Sequence, residues 1–295
     1  MRIIFDVLRD GLGAINTASK QLAQAQQQMA TGKRIAGAGD DPVAVQQAIG
    51  ERATMGALDA YKRANQSAAS VLSTVDSVLS GMSDKLTEAT VAGLSARGDH
   101  VNAAARSAAA ERVRSLRESL VGDINIRANG SSLFSGTAAD QPAYALVAGT
   151  WTYQGDAAAT DVEVERGRTV AVTFNGRQIV QGSDATDVFT VLDDLASAIE
   201  AGDGTAIDAG LAALDRAFAR TQQAIGSLGA DQRSSDEASV RLASMRQAAN
   251  VRRGSLEDAD LAESTIRLTQ AETAYRAALG AVSTAERQSL LDYLR

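Results

Sequence analysis

From Ala68 onward the chain sets Leu72, Val75, Leu79, Met82 and Leu86 three and four residues apart. That alternation is the a/d seam of a heptad, and it commits the segment to a helix lying alongside another helix. Such a seam needs partners, and both ends of the chain supply them. Leu8, Ile15, Leu22 and Met29 recur every seven residues near the start, with Ala18 and Ala25 on the turns between. After Asp99, read as an N-cap, a third helix carries Val113, Leu116 and Leu120. In the second half Val188, Leu192, Leu195 and Ile199 form a short amphipathic helix that stops at AGDG, residues 201–204. The pattern resumes with Ile207, Leu211, Leu214, Phe218, Ile225 and Leu228, and the last stretch offers Leu261, Leu268, Tyr275, Leu279 and Val282.

Composition sets the width of these seams. Hydrophobic residues make up 45% of the 295, yet aromatics are only 4% and there are two prolines. Much of the apolar content is alanine, so helices run long and bury little area per residue. The expected fold is mainly α: an elongated antiparallel helical bundle or coiled coil formed by the N- and C-terminal segments, with a small β-rich insertion. The insertion falls at residues 138–184, where the period switches to two. Val162 and Val164 alternate with acidic residues, and Val170, Val172 and Phe174 with small or polar ones. Asn175-Gly176 reads as a hairpin turn and Trp151 and Tyr153 as anchoring aromatics. Too small to stand alone, the insertion should lean on the helices or on a neighbour. Three domains follow: residues 1–40 with 255–295, residues 41–137 with 185–254, and residues 138–184.

The totals exclude several kinds of chemistry. A formal charge of −7 opposes binding to nucleic acid or an anionic membrane. No cysteine means no disulfide, thiolate or Cys-type zinc site, and one histidine, His100, cannot assemble a hydrolytic triad. The N-terminal MRIIFDVLRDGLGAINTASK lacks the apolar core of a cleaved signal, and no run is long enough to span a bilayer. No catalytic, cofactor-binding or metal-binding residue is expected.

TGKRIAGAGDDP, residues 31–42, holds the densest set of polar groups. The Walker order fails, because Gly32-Lys33 is followed by Arg34 and the position of the earlier glycine is Gln27. Asp40 and Asp41 have no further metal ligands at suitable spacing. A helix joint explains the residues better: glycines end one helix, Asp41 caps the next, and Pro42 takes its first position. GSLEDADLAE, residues 254–263, has the same character, with Gly254 ending a helix and Ser255 and Asp258 resembling a capping box. About 31 residues precede the first joint and about 32 follow the second. At ~1.5 Å per residue each terminal helix spans roughly 45 Å. Equal lengths suit an antiparallel pair, with the two joints adjacent.

ATGKRIAGAGDDPVAV (30–45), SSLFSGT (131–137) and SLEDADLAESTIRLTQAETAYRAAL (255–279) together resemble the bacterial flagellin superfamily. Its joint motifs fall on Arg34, Asp40, Asp41, Pro42, Leu133, Phe134, Gly136, Glu257, Asp258 and Asp260. LFSG, YQGD at 153–156 and the ending RQSLLDYL make the chain more similar to the hook-associated protein 3 family than to filament flagellin. Ala38-Gly39 departs from the usual Pro-Ser. The resemblance implies a structural subunit of the bacterial flagellum: an adaptor ring of identical copies at the hook–filament junction, linking hook-associated protein 1 to flagellin. A flagellin-type filament subunit is the alternative. It also implies export through the flagellar type III channel without a cleaved signal, an extracellular location, and an export chaperone on the C-terminal helix. Leu8, Ile15, Leu22, Met29, Leu261, Leu268, Tyr275, Leu279 and Val282 would serve assembly of the inner helices.

Seams of alanine and glutamine such as LAQAQQQMA hold a helix weakly until something packs on it. Residues 1–31 and 262–295 are therefore expected to order on assembly. Limited proteolysis of the soluble monomer should trim both ends and leave a core of about residues 40–255; termini that resist cleavage would contradict this.

Overall fold

The computed structural model describes residues 2–293 apart from 36, 38, 99 and 129, and side chains from residue 9 to residue 284 apart from those same four. Among the described residues there are seven helices. They are α1 (Arg2–Thr31), α2 (Pro42–Ala96), α3 (Ala103–Ile124), α4 (Gly176–Val180), α5 (Val188–Ala201), α6 (Gly204–Glu257) and α7 (Leu261–Tyr293). Six short strands lie between α3 and α4: β1 (Arg127–Ala128), β2 (Ser131–Ser132), β3 (Tyr144–Val147), β4 (Thr150–Tyr153), β5 (Asp161–Glu165) and β6 (Arg168–Ala171). The chain forms two compact units, residues 1–58 with 245–295 and residues 59–244. The long helices α2 and α6 contribute to both.

The larger unit holds the conventional core. Leu72, Leu79, Met82 and Leu86 of α2 are buried with Leu120 and Ile124 of α3, Leu192, Leu195 and Ile199 of α5, and Ile207 of α6. α2 and α6 run antiparallel, as the cross-links Arg97–Asp208 (2.7 Å), Gln222–Ser83 (2.8 Å) and Asn65–Ser235 record. Asn65 and Ser235 sit in the seam itself. The Asn65 amide donates to the Ser235 carbonyl at 2.9 Å, and the Ser235 hydroxyl donates back to Asn65 Oδ1 at 2.7 Å. Both are buried, so each would cost free energy if the other were displaced. α5 packs against α3, flanked by Arg114–Glu200 (2.7 Å) and Arg117–Asp193.

Each strand pair is a separate antiparallel hairpin: β1–β2, β3–β4 and β5–β6. Leu146 faces Trp151 and Tyr144 faces Tyr153 across β3–β4. The turn there is Ala148-Gly149, both with positive φ (50° and 84°). This hairpin leans on α5 through Tyr144 and Trp151, whose rings lie 5.2 and 6.1 Å from that of Phe189. The β5–β6 hairpin is tied to α6 by Arg241–Glu165 and Arg168–Glu237.

Four local readings of the sequence are corrected. Strand pairing begins at Arg127, ahead of residue 138, in segments too short to show a period of two. Asn175-Gly176 is not a hairpin turn. Asn175 caps α4 by accepting from the amides of Arg177 and Gln178, because the preceding chain pairs with Leu133–Ser135 instead of folding back on itself. The N-cap of α3 is Asn102, whose side chain accepts from Ala105 N at 2.8 Å; Asp99 lies outside the described residues. Gly254 does not end a helix, since α6 continues to Glu257. Ser255 bonds back to Arg252 O within it, and Asp260 is the cap of α7, accepting from the amides of Ala262 and Glu263.

LFSG is the knot that holds the hairpins. Leu133 and Phe134 are buried. Phe174 N donates to Leu133 O, Gly176 N to Phe134 O, and Gly136 N to Phe174 O. Tyr153 OH reaches Phe134 O (3.1 Å) and Asp156 O (2.9 Å), and Thr137 closes on the Asp156 carboxylate; the Thr137 hydroxyl and amide, and then the Ala158 amide, hold that carboxyl below its ordinary range. Gly136 has φ +69°, and a Cβ there would lie 2.7 Å from two backbone oxygens. Gly136→Ala should therefore destabilise the larger unit by about 2 kcal/mol or more, read as a lowered midpoint in urea against Gly130→Ala, which has positive φ but open space.

Candidate assembly surface and its helix joint

In the smaller unit α1 and α7 pair antiparallel. The Gly11 backbone approaches Val282, Thr265 bonds the Met29 sulfur at 3.8 Å, and Lys33 bridges Asp258. Every buried apolar residue described in this unit is alanine: Ala18, Ala25, Ala44, Ala48, Ala249 and Ala271. Gln28 and Ser264 are buried beside them. Of the residues expected to serve assembly, Ile15, Leu22, Met29, Leu268, Tyr275 and Val282 are half-buried, while Leu261 and Leu279 are exposed. The side chain of Leu8 lies outside those described.

Many of the larger aliphatic side chains are exposed. Eight of the thirteen large apolar residues exposed among the described ones belong to this smaller unit: Leu12, Val43, Ile49, Met245, Val251, Leu261, Ile266 and Leu279. A chain that buries alanine and exposes leucine and isoleucine has its larger apolar surface still uncovered. Heptad spacing could not reveal Leu12, Val43, Ile49 or Ile266, because they fall outside the seams. Their signal is the converse one, aliphatic residues at positions the helical pattern assigns to solvent.

At the joint the two turns meet as a short antiparallel bridge. Arg34 N donates to Glu257 O at 2.7 Å, and Ala259 N to Gly32 O at 2.9 Å. Gly32 (φ +65°) makes the left-handed exit from α1, as the amide it donates to Gln28 O requires. Glu257 is buried between two cations, Arg52 at 2.6 Å and Lys33 at 3.5 Å. Lys33 also meets Asp258 at 2.5 Å, and that bond raises its pKa above the ordinary lysine value. Arg34 donates to Leu256 O at 2.8 Å and pairs with Asp41 at 3.3 Å. Asp41 caps α2 by accepting from Ala44 N at 3.0 Å. That bond, and then Arg34, hold its carboxyl below the usual range. Asp40 accepts from Gly37 N at 2.9 Å. Pro42 opens α2 with the N–H it lacks unneeded.

The motif residues thus fall into two sets. Arg34, Asp40, Asp41, Pro42, Glu257, Asp258 and Asp260 come together at the joint, while Leu133, Phe134 and Gly136 belong to the knot of the other unit. The joint is a polar clamp, with its carboxylates occupied by arginine, lysine and backbone amides. Among the described residues no group of three or more His, Cys, Asp or Glu is placed to hold a metal ion, and no helix is long and apolar enough to cross a membrane. The pairs Arg52–Glu257 and Arg252–Glu51 (2.7 Å) were not legible in the sequence, since each joins residues some 200 positions apart.

Residues 12–139 match the bacterial flagellin N-terminal helical region, and residues 211–294 match the bacterial flagellin C-terminal helical region. No curated protein sequence matches the chain. Solved structures do. A flagellar hook-associated protein from Vibrio parahaemolyticus is similar with a TM-score of 0.71 at 21% identity, covering 74% of this chain and 100% of that one. FlgL of Xanthomonas campestris gives 0.62 at 16%, covering 68% and 98%. The flagellar junction protein of Legionella pneumophila gives 0.62 at 13%, covering 72% and 100%. At these identities the structures speak for the fold. With both flagellin helical regions present in order and paired through α1 and α7, the chain belongs to the bacterial flagellin family.

Proposed function

We propose that the chain is a structural subunit of the bacterial flagellum, an adaptor ring at the hook–filament junction with hook-associated protein 1 on one side and flagellin on the other. One observation carries this reading: the terminal helix pair buries alanine and presents Leu12, Leu261, Ile266 and Leu279 outward, a surface that copies of a subunit would cover. Its membership of the flagellin family supports assembly as the purpose of that surface. The junction role, against that of a filament subunit, draws support from LFSG and YQGD, which together build the knot around Phe134 and Tyr153. It draws further support from similarity in fold to a protein described as a flagellar junction protein.

On this reading the chain has no catalytic, cofactor or metal role, and residues 1–40 with 255–295 form the inner, assembling part. Residues 41–137 with 185–254 form the bundle, and 138–184 the outer insertion. The chain leaves the cell through the flagellar type III channel. Before export a chaperone covers the apolar face of α7, including Leu261, Leu268 and Leu279.

Two measurements test the proposal. Deleting the gene should leave cells with hooks while releasing flagellin monomers into the medium; long filaments formed by the purified protein alone would favour the filament subunit instead. Glu257→Ala strands Lys33 and Arg52 beside a lost buried acceptor and should destabilise the smaller unit by about 1–2 kcal/mol. Junction assembly should fall while the larger unit keeps its urea midpoint. Assembly unchanged by Glu257→Ala would remove the joint from the mechanism.

A further inference from the structure

Asn175-Gly176 has the residue types of a hairpin turn but caps α4 and closes the knot instead, and it carries chemistry that neither role uses. In a flexible chain the amide nitrogen that follows asparagine attacks the side-chain carbonyl carbon, and glycine there has no side chain to hinder it. The bond formed joins Gly176 N to Asn175 Cγ, the Cγ–Nδ2 bond breaks, and ammonia leaves with the amide proton. Water then opens the five-membered succinimide. Attack at one ring carbonyl gives aspartate with the main chain unchanged. Attack at the other gives isoaspartate, whose main chain runs through the former side chain.

The fold holds both reacting groups. Gly176 is buried, and its N–H donates to Phe134 O at 2.9 Å. A Cβ on Gly176 would lie 2.6 Å from that oxygen, so the two backbones are in close contact. Asn175 Oδ1 accepts from Arg177 N (3.0 Å) and Gln178 N (3.4 Å), which turns the side-chain carbonyl toward α4. Phe174 N, bonded to Leu133 O at 2.8 Å, and the Ser135–Asn175 bridge fix the chain just before it. We propose that Asn175-Gly176 is a latent modification site shielded by the LFSG knot: the folded chain keeps its asparagine, and a chain left unfolded converts it. The two products differ in consequence. Aspartate accepts the same two amides and caps α4 as asparagine does. Isoaspartate adds one carbon between Asn175 Cα and Gly176 N, about 1.5 Å of main chain. It also leaves a free carboxylate beside buried Phe134, where no charge is otherwise placed. The bonds from Phe174 N to Leu133 O and from Gly176 N to Phe134 O then cannot both form, so the knot closes only on unconverted or aspartate chains. This inference rests on the larger unit alone and is independent of the ring reading.

The native full chain serves for the test. It is held at mildly alkaline pH, folded in buffer or unfolded in urea, and peptide mapping by mass spectrometry follows conversion at position 175. Conversion in buffer should be slower by about tenfold or more, because only the opened fraction reacts. Chains converted in urea are then returned to buffer and refolded monomer is separated by size exclusion. Trp151, the single tryptophan, reports whether its hairpin has packed on α5. Isoaspartate at position 175 should collect in the fraction that fails to refold, while Asn175→Asp refolds with the parent's urea midpoint. Mapping both fractions separates this site from the other Asn-Gly, at residues 129 and 130. Equal conversion rates in buffer and in urea would overturn the shield. Isoaspartate at position 175 in equal share in both fractions, or an Asn175→Asp chain that does not refold, would overturn the knot's discrimination between the products.

Discussion

The alanine seam between α1 and α7 is the constraint on which the rest of this structure turns. Replacing leucine by alanine at a buried site forgoes roughly 2 kcal/mol of apolar transfer, and every fully buried apolar position described in the smaller unit is alanine. Small side chains let two helices approach closely, which gains dispersion contacts but little area removed from water. The aliphatic surface that would complete the stabilisation faces outward. A helix pair built this way draws little stability from the burial of its own alanines.

The larger unit is organised on the opposite principle. Leucine, isoleucine, valine, methionine and phenylalanine fill its interior, and its three hairpins are fixed by aromatic contacts with α5, by arginine–glutamate pairs to α6 and by the LFSG knot. It holds its shape from its own contacts. The joint is the polar counterpart within the smaller unit: where alanine supplies little stabilisation, buried Glu257 and its two cations, with two backbone bonds, specify how α1 and α7 align. Buried charge gains little net stability but penalises every arrangement that leaves it unpaired.

The sequence revealed most where periodicity was long. The seam of Leu72 to Leu86, the antiparallel terminal helices and the adjacency of the two joints follow from heptads and spacing. Short-range signals failed where one dipeptide serves two purposes. Asn175-Gly176 suits a hairpin turn and a helix cap equally, and pairing of Phe174–Gly176 with Leu133–Gly136, some forty positions away, decided between them. Ser255-x-x-Asp258 has the spacing of a capping box, but α6 persists through Gly254 and the true cap is Asp260. The exposed aliphatics and the Glu257 clamp depend on which helices are neighbours, and no local pattern encodes that.

Asn65 and Ser235 lie 170 positions apart and are buried in a seam that is largely apolar. A heptad seam alone tolerates sliding by seven residues, since leucine meets leucine again after about 10 Å. The reciprocal amide–hydroxyl pair works as a notch: any such slip strands two polar groups against hydrocarbon. The register of α2 against α6 in the larger unit is thereby fixed. In this chain two small polar side chains hold that register.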